Sequence, residues 1–294
     1  MSFGQSSPLA GVVSLPPEPC AEPGRPAVIL LNAGATHRVG PSRLYVRLAR
    51  HLAGRGCVVL RFDHSGIGDS PQRRDQVAYA ESVLLETGEA LDYLARRRGS
   101  DRFALTGICS GGATAFVAAR RDPRVVGVLA INAQAHFHAD HPEQVESALR
   151  RALSRHSLRI ALFSSFRGKN LRKLLAGRLS PRRVVSMLLG GPARSPQGGA
   201  GSRAPRGPGP DPSSAARELA SRGVKLLHVY SEGDEGLDYF RSMVGRSQAR
   251  SRDGALPVRV LKGVDHLFTQ RWSQDALVAL VDEWMDELSP RRPA

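Results

Sequence analysis

Five consecutive residues, Gly107-Ile108-Cys109-Ser110-Gly111, have the spacing of a turn that mounts a nucleophile between a strand and a helix. Such a turn is strained, so small residues must flank the reacting one. Gly107 and Gly111 supply them, and Gly112 and Ala113 let the next helix pack closely. In this frame the reacting group is the Cys109 thiol. Making Ser110 central instead would put Ile108 where a glycine is needed. The start of a helix also favours thiolate, because the positive end of the backbone dipole faces it. The plain alternative is that Cys109 only fills the core, as free cysteines often do. That reading suits Cys57, inside an apolar run, and Cys20, in a proline-rich leader. The glycine pattern sets Cys109 apart.

A nucleophilic thiol needs a base, and the base needs an orienting carboxylate. Sheet enzymes built on this turn bring them in the chain order nucleophile, acid, base, from loops after later strands. The stretch "KGVDHLFTQ" puts His266 between the last strand and the last helix, and no other histidine is better placed. The stretch "VYSEGDEGLDYF" offers Glu232, Asp234, Glu235 and Asp238. Asp234, in the turn directly after a strand, is the expected acid, and Asp238, opening a short helix, is the alternative. Two backbone amides are expected to hold the oxyanion: that of Ser110, and that of Ala33 or Gly34 in "NAGATH". Asp63, Gly66, Gly68 and Ser70, in "RFDHSGIGDS", are expected to shape a loop beside the site. His37, His136 and His138 are candidates for the wall of a substrate pocket. "HFHADH" gathers His136, His138 and His141, but only Asp140 adds a second ligand type, so pocket lining is favoured over zinc. No cofactor and no metal are expected.

These residues need a scaffold, and the apolar pattern provides one. "AVILLNA" from Ala27, "CVVLRFD" from Cys57, "RFALTGI" from Arg102 and "VVGVLAIN" from Val125 read as strands. "VKLLHVYS" from Val224 and "PVRVLKG" from Pro257 continue the series. Helical patterns lie between them. In "SRLYVRLARHLAGRG", Leu44, Leu48 and Leu52 recur four apart, with Ser42 as the expected cap. "YAESVLLETGEALDYLARR", "GGATAFVAARR" and a short "LDYFRSMVG" follow. In the last helix Leu277, Leu280, Val281, Trp284 and Leu288 share a face, with Ser273 as the expected cap. This alternation predicts an α/β class: a doubly wound, mostly parallel sheet with helices on both faces. It stops between residues 139 and 221, which read as an inserted basic helical cap with a flexible Gly/Pro/Arg-rich loop over 190–214. The expected core is then 1–138 and 222–294.

The net charge of +15 is concentrated in this insert. Residues 147–210 hold 14 of the 42 Arg and Lys and no acidic residue, leaving 28 basic against 27 acidic elsewhere. Only four of the basic residues are lysines. An anionic partner, such as an acidic carrier protein, would suit the segment. Aromatic content of 5% with no interleaved basic–aromatic motif argues against nucleic acid. No stretch reaches the roughly 20 apolar residues of a membrane span. Three widely spaced cysteines do not make a disulfide framework. The amino terminus lacks the pattern of a secretory signal, so a cytoplasmic location is expected.

Taken together, "GICSGG", "NAG" after the first clear strand, "RFDHSGIGDS" and the late "DH" resemble the α/β-hydrolase superfamily. The nucleophile turn resembles that of dienelactone hydrolases, which pair cysteine with His and Asp. The block "LNAGATHRVGPSRLYVRLARHLA" is similar to small bacterial α/β-hydrolases found near exosortase genes and in biosynthetic clusters. The resemblance implies a triad of Cys109, His266 and Asp234 and cleavage of ester, thioester or lactone bonds in a small or carrier-bound acyl substrate. It leaves two alternatives: an acyltransferase or cyclase using the same site, and a binding module with a degenerate site and a basic cap. The chain departs from the superfamily in its long basic insert and in an amino-terminal stretch that reads as too short for all eight strands.

Overall fold

The structure, a computed structural model, describes residues 1–17, 24–133, 212–238, 240–241 and 256–289. Their order is β1 (Ser2–Phe3), β2 (Leu9–Ser14), β3 (Ala27–Leu31), α1 (Leu44–Gly54), β4 (Val59–Phe62), α2 (Tyr79–Arg98), β5 (Phe103–Ile108) and α3 (Ser110–Arg121). Then come β6 (Val125–Ile131), α4 (Pro212–Ser221), β7 (Lys225–Ser231), β8 (Val258–Leu261) and α5 (Arg271–Leu288). The strands form one sheet in the order β1-β2-β4-β3-β5-β6-β7-β8. The pairs β1–β2 and β2–β4 are antiparallel, and the other pairs are parallel.

Strand residues alternate between two faces, and both faces are covered. Ile29, Leu31, Leu60, Phe62, Phe103 and Leu105 pack with Leu91 of α2, Phe116 of α3 and Leu219 of α4. Val28, Leu30, Val59, Ala104 and Ile108 pack with Leu44, Leu48 and Leu52 of α1 and with Leu277, Val281, Trp284 and Leu288 of α5. Leu280 is partly buried at the edge of this second core. Covering both faces explains why β3 is apolar throughout and β5 is buried at every position, Thr106 included, rather than alternating. Each fully buried Leu, Ile or Phe contributes about 1.5–3 kcal/mol, so the apolar period dominates the weaker propensity signals.

Several expectations need correction. The amino-terminal stretch is long enough for all eight strands, because β1 needs only two residues and β2 six. Ser42 does not cap α1: Ser42 and Arg43 have φ of 47° and 62°, and the helix opens at Leu44 with no side-chain cap. The last helix opens at Arg271, so Ser273 lies in its first turn, where its hydroxyl donates to the Gln270 carbonyl at 2.7 Å. Residues 212–221, read as the end of the cap, form α4, whose Ala215, Ala216 and Leu219 join the core. That span also covers the end of the loop expected over 190–214. The rest of the expected cap, with Asp140 and His141, lies outside the described residues, as do His136, His138 and Cys20. The short helix begins at residue 235, before Asp238.

The strand order fixes where a site can form. From β3 the chain crosses to β4 on one side and, after α2, returns to β5 on the other. The loops leaving β3 and β5 therefore diverge above neighbouring strands and open a crevice at their carboxyl ends. Leu31 pairs with Gly107, Ile131 with Ile108, and Ser231 with Leu261, so the loops after β3, β5, β6, β7 and β8 share one edge.

Candidate active site

Cys109 joins β5 to α3 with φ 57° and ψ −117°. A non-glycine residue in this region costs about 1–3 kcal/mol and needs firm support. The backbone supplies part of it: Cys109 N–H donates to the Ile131 carbonyl at 2.8 Å. Tyr45, buried in α1, accepts the Ile108 N–H on its hydroxyl at 2.9 Å. The glycines supply the rest. A Cβ on Gly107 would lie 2.6 Å from the Gly111 carbonyl carbon, and one on Gly111 would lie 2.7 Å from the carbonyl oxygens of Leu31 and Asn32. A Cβ on Gly112 would lie 2.9 Å from the Gly107 oxygen. These obstacles are mostly backbone atoms, so no side-chain rotation could relieve them.

His266 reaches the same edge from the loop after β8, where Phe268, buried at φ 54°, turns the chain toward α5. Its imidazole lies beside the Cys109 side chain, close enough for the sulfur to help hold the imidazole's pKa up. Its Nδ1 lies 2.5 Å from Asp234 Oδ2. Asp234 is itself held: Oδ1 accepts the Gly236 N–H at 2.8 Å, and the Asp234 N–H donates to the Ser231 carbonyl at 3.1 Å. Burial alone would push the His266 imidazole down. Asp234 and Cys109 outweigh it and hold the imidazole up at about 10, so the protonated ring is the favoured form at neutral pH. Asp238 is exposed, and it is Asp234 that meets the histidine.

Asn132, at the end of β6, ties this arrangement together. It is fully buried, with φ 46°. Its Nδ2 donates to the His266 carbonyl at 2.8 Å and to Ser231 Oγ at 2.9 Å, while its Oδ1 accepts the Ser231 N–H at 2.7 Å. One side chain thus pins the histidine loop to the strand that carries the acid. Neither Asn132 nor Tyr45 was singled out from the sequence. The only signal was a polar residue ending, or interrupting, an otherwise apolar run.

The loop after β3 approaches the turn from the other side. Ala33 is buried, and the Gly34 N–H donates to Ser110 Oγ at 2.8 Å. Asn32 anchors this loop: its Nδ2 donates to the Thr36 carbonyl and to Asp63 Oδ1, and its Oδ1 accepts from the His64 backbone at 2.9 Å. Burial pushes the His64 imidazole down to about 4, so it is neutral beside Asn32. Fully buried Asp63 also accepts the Arg38 N–H at 2.5 Å and the Asp69 N–H at 3.1 Å, and pairs with the Arg38 guanidinium. Gly68 is required there, since its Cβ would overlap the Asp63 carboxylate. Ser70 Oγ donates to the Asp63 carbonyl at 2.6 Å. Gly66, at φ 78°, turns the same loop. His37 is half-buried, with Nε2 3.3 Å from Asp69 Oδ2. His37, Asp63 and Asp69 form the one group of potential metal ligands found among the described residues. Arg38 already bridges both carboxylates with positive charge, so the group reads as a loop anchor. No helix among the described residues is long and apolar enough to cross a membrane.

Residues 25–186 match the family model of the serine aminopeptidases, S33. No curated protein matches the sequence. Among solved structures, the chain is similar to an α/β serine hydrolase without lid from Xanthomonas campestris, at 14% identity over 100% of this chain and 95% of the other, TM-score 0.55. It is similar to the Est1E protein of Butyrivibrio proteoclasticus, solved with ferulic acid, at 14% identity over 98% of both chains, TM-score 0.59. It is also similar to the proline iminopeptidase of Mycobacterium smegmatis, at 16% identity over 98% of both chains, TM-score 0.55. These likenesses identify the sheet and its flanking helices as the α/β-hydrolase fold. The family is described by a serine enzyme, whereas the turn after β5 carries cysteine here.

Proposed function

Because the chain belongs to the serine aminopeptidase S33 family of hydrolases, we propose that it cleaves ester or thioester bonds, lactones included, through an acyl-enzyme on Cys109. One observation carries this reading: the His266 imidazole is hydrogen-bonded to Asp234 and lies beside the Cys109 sulfur. His266, oriented by Asp234, takes the Cys109 proton, so the sulfur attacks as thiolate. The sulfur attacks the substrate carbonyl carbon and its electron pair forms the C–S bond. The oxygen takes the negative charge and is met by the Ser110 amide and by the loop bearing Ala33 and Gly34. When the intermediate collapses, the C–O or C–S bond to the leaving group breaks and His266 protonates that group. Water then gives a proton to His266 and attacks the thioester, which releases the acid and restores the thiolate. Thiolate leaves more readily than an amine, which disfavours amide cleavage and favours esters and thioesters.

The basic stretch 147–210 supports an anionic acyl donor, either a coenzyme A thioester or an acyl group on an acidic carrier. A cytoplasmic setting, where thiols stay reduced, fits a catalytic cysteine. Cys109→Ala, Cys109→Ser and Ser110→Ala, compared on aryl esters and acyl thioesters, test the proposal. Loss of activity in Cys109→Ala with binding retained is expected. Full activity in Cys109→Ala together with its loss in Ser110→Ala would overturn it. For the anionic donor, KM should rise with ionic strength for a coenzyme A thioester and stay flat for an uncharged thioester; equal salt responses refute that part.

A further inference from the structure

Ser110 is the first residue of α3, directly after the strained Cys109, and is only 8% exposed. Its hydroxyl accepts the Gly34 N–H at 2.8 Å. Gly34 sits at φ 57° in the loop that leaves β3, beside the turn after β5. This amide is thus aimed at the serine oxygen. A hydroxyl that accepts one hydrogen bond still has a proton to give. No acceptor among the described residues takes that proton. The Ser110 backbone N–H lies in the first turn of the helix, where no intrahelical acceptor exists.

We propose that the Ser110 hydroxyl is itself a donor of the oxyanion hole, relaying the polarity of the Gly34 amide to the substrate oxygen. This rests on Cys109 being the nucleophile. The oxygen that gains charge belongs to the carbon bonded to Cys109 sulfur, and Ser110 is the next residue along the chain. Accepting the Gly34 N–H strengthens the hydroxyl as a donor, because linked hydrogen bonds polarise one another. Only a rotation about the Cβ–Oγ bond is needed to aim the proton, and no proton leaves the serine. Ser110 then contributes two donors, its amide and its hydroxyl, and Gly34 acts through the second. As a catalytic residue in this sense, Ser110 is not an attacking group.

The test uses p-nitrophenyl butyrate turnover, alkylation of Cys109 by iodoacetamide, and reversible addition of an alkyl trifluoromethyl ketone followed by fluorine NMR. Ser110→Ala should lower kcat by about 100- to 1,000-fold, the effect of losing one oxyanion donor, and weaken the ketone adduct in proportion. KM should change by no more than about twofold, because the bond is made in the transition state. Alkylation builds no oxyanion, so its rate should not change. Ser110→Thr keeps the hydroxyl and should retain most of the activity and the adduct. Unchanged or higher kcat in Ser110→Ala overturns the inference, since Gly34 would then serve the oxygen directly. An equal fall in alkylation also overturns it, because the serine would only be supporting the turn. Activity or ketone addition that survives in Cys109→Ala points elsewhere: it sinks the thiol mechanism itself. The ketone measurement needs no turnover, so it decides the matter even for a poor ester substrate.

Discussion

Replacing Asp234 by asparagine removes one negative charge beside His266 while keeping the shape of the side chain. Both partners are shielded from water, with side chains 4% and 18% exposed, so solvent cannot replace the lost interaction cheaply. A hydrogen bond to a charged group is worth about 1.5–3 kcal/mol, and about 1.4 kcal/mol moves a pKa by one unit. The substitution should therefore lower the His266 pKa by about 1–2 units. The sign follows from the direction in the native site. Asp234 and Cys109 raise the imidazole above its ordinary value, so the protonated ring survives to higher pH. The imidazolium is lost on the alkaline side, when the ring gives up its proton. The alkaline limb of kcat/KM for p-nitrophenyl butyrate should move down by about 1–2 pH units in Asp234→Asn. Because the ring also loses its orienting partner, kcat at the optimum should fall by about 100-fold or more. Asp238→Asn is the control: Asp238 is exposed, and its loss should leave the limb in place. An unmoved limb in Asp234→Asn, or an equal shift in Asp238→Asn, would refute the assignment.

Other perturbations test the scaffold. Asn132→Ala strands the Ser231 N–H and the His266 carbonyl, so it should cost about 1–3 kcal/mol in urea unfolding and lower kcat more than it changes KM. Tyr45→Phe leaves the buried Ile108 N–H without its acceptor, and should cost about 1–3 kcal/mol and slow Cys109 alkylation. Gly111→Ala drives a Cβ into the Leu31 and Asn32 carbonyls, and should yield little folded protein or one unstable by several kcal/mol, read by thermal unfolding.

The residues readable from sequence were those tied to a local pattern. The apolar runs of β3 and β5 and the four-residue spacing of α1 report burial, the largest energetic term. Cys109 was readable because its strained turn demands glycines at fixed offsets. His266 and Asp234 were readable from their order along the chain and the loops that hold them. The first two strands were missed because β1 has two residues and the second half of β2 is only half buried, so neither shows a long apolar run. Ser42 and Ser273 look like caps by type, but the backbone at Ser42 and Arg43 turns left-handed, and α5 already begins two residues before Ser273. Asn132 joins residues 99 and 134 positions away, a contact that no local spacing records. The bond from Gly34 to Ser110 likewise spans 76 positions and needs the β3–β5 register to bring it about.

The covalent intermediate offers the most direct measurement of the central claim. Acid-quenched protein, taken early in turnover of an acyl thioester or aryl ester, can be digested and read by mass spectrometry. The acyl mass should sit on the peptide bearing Cys109, disappear in Cys109→Ala, and be released by neutral hydroxylamine as a thioester is. An acyl group on Ser110, stable to neutral hydroxylamine and retained in Cys109→Ala, would contradict the thiol mechanism.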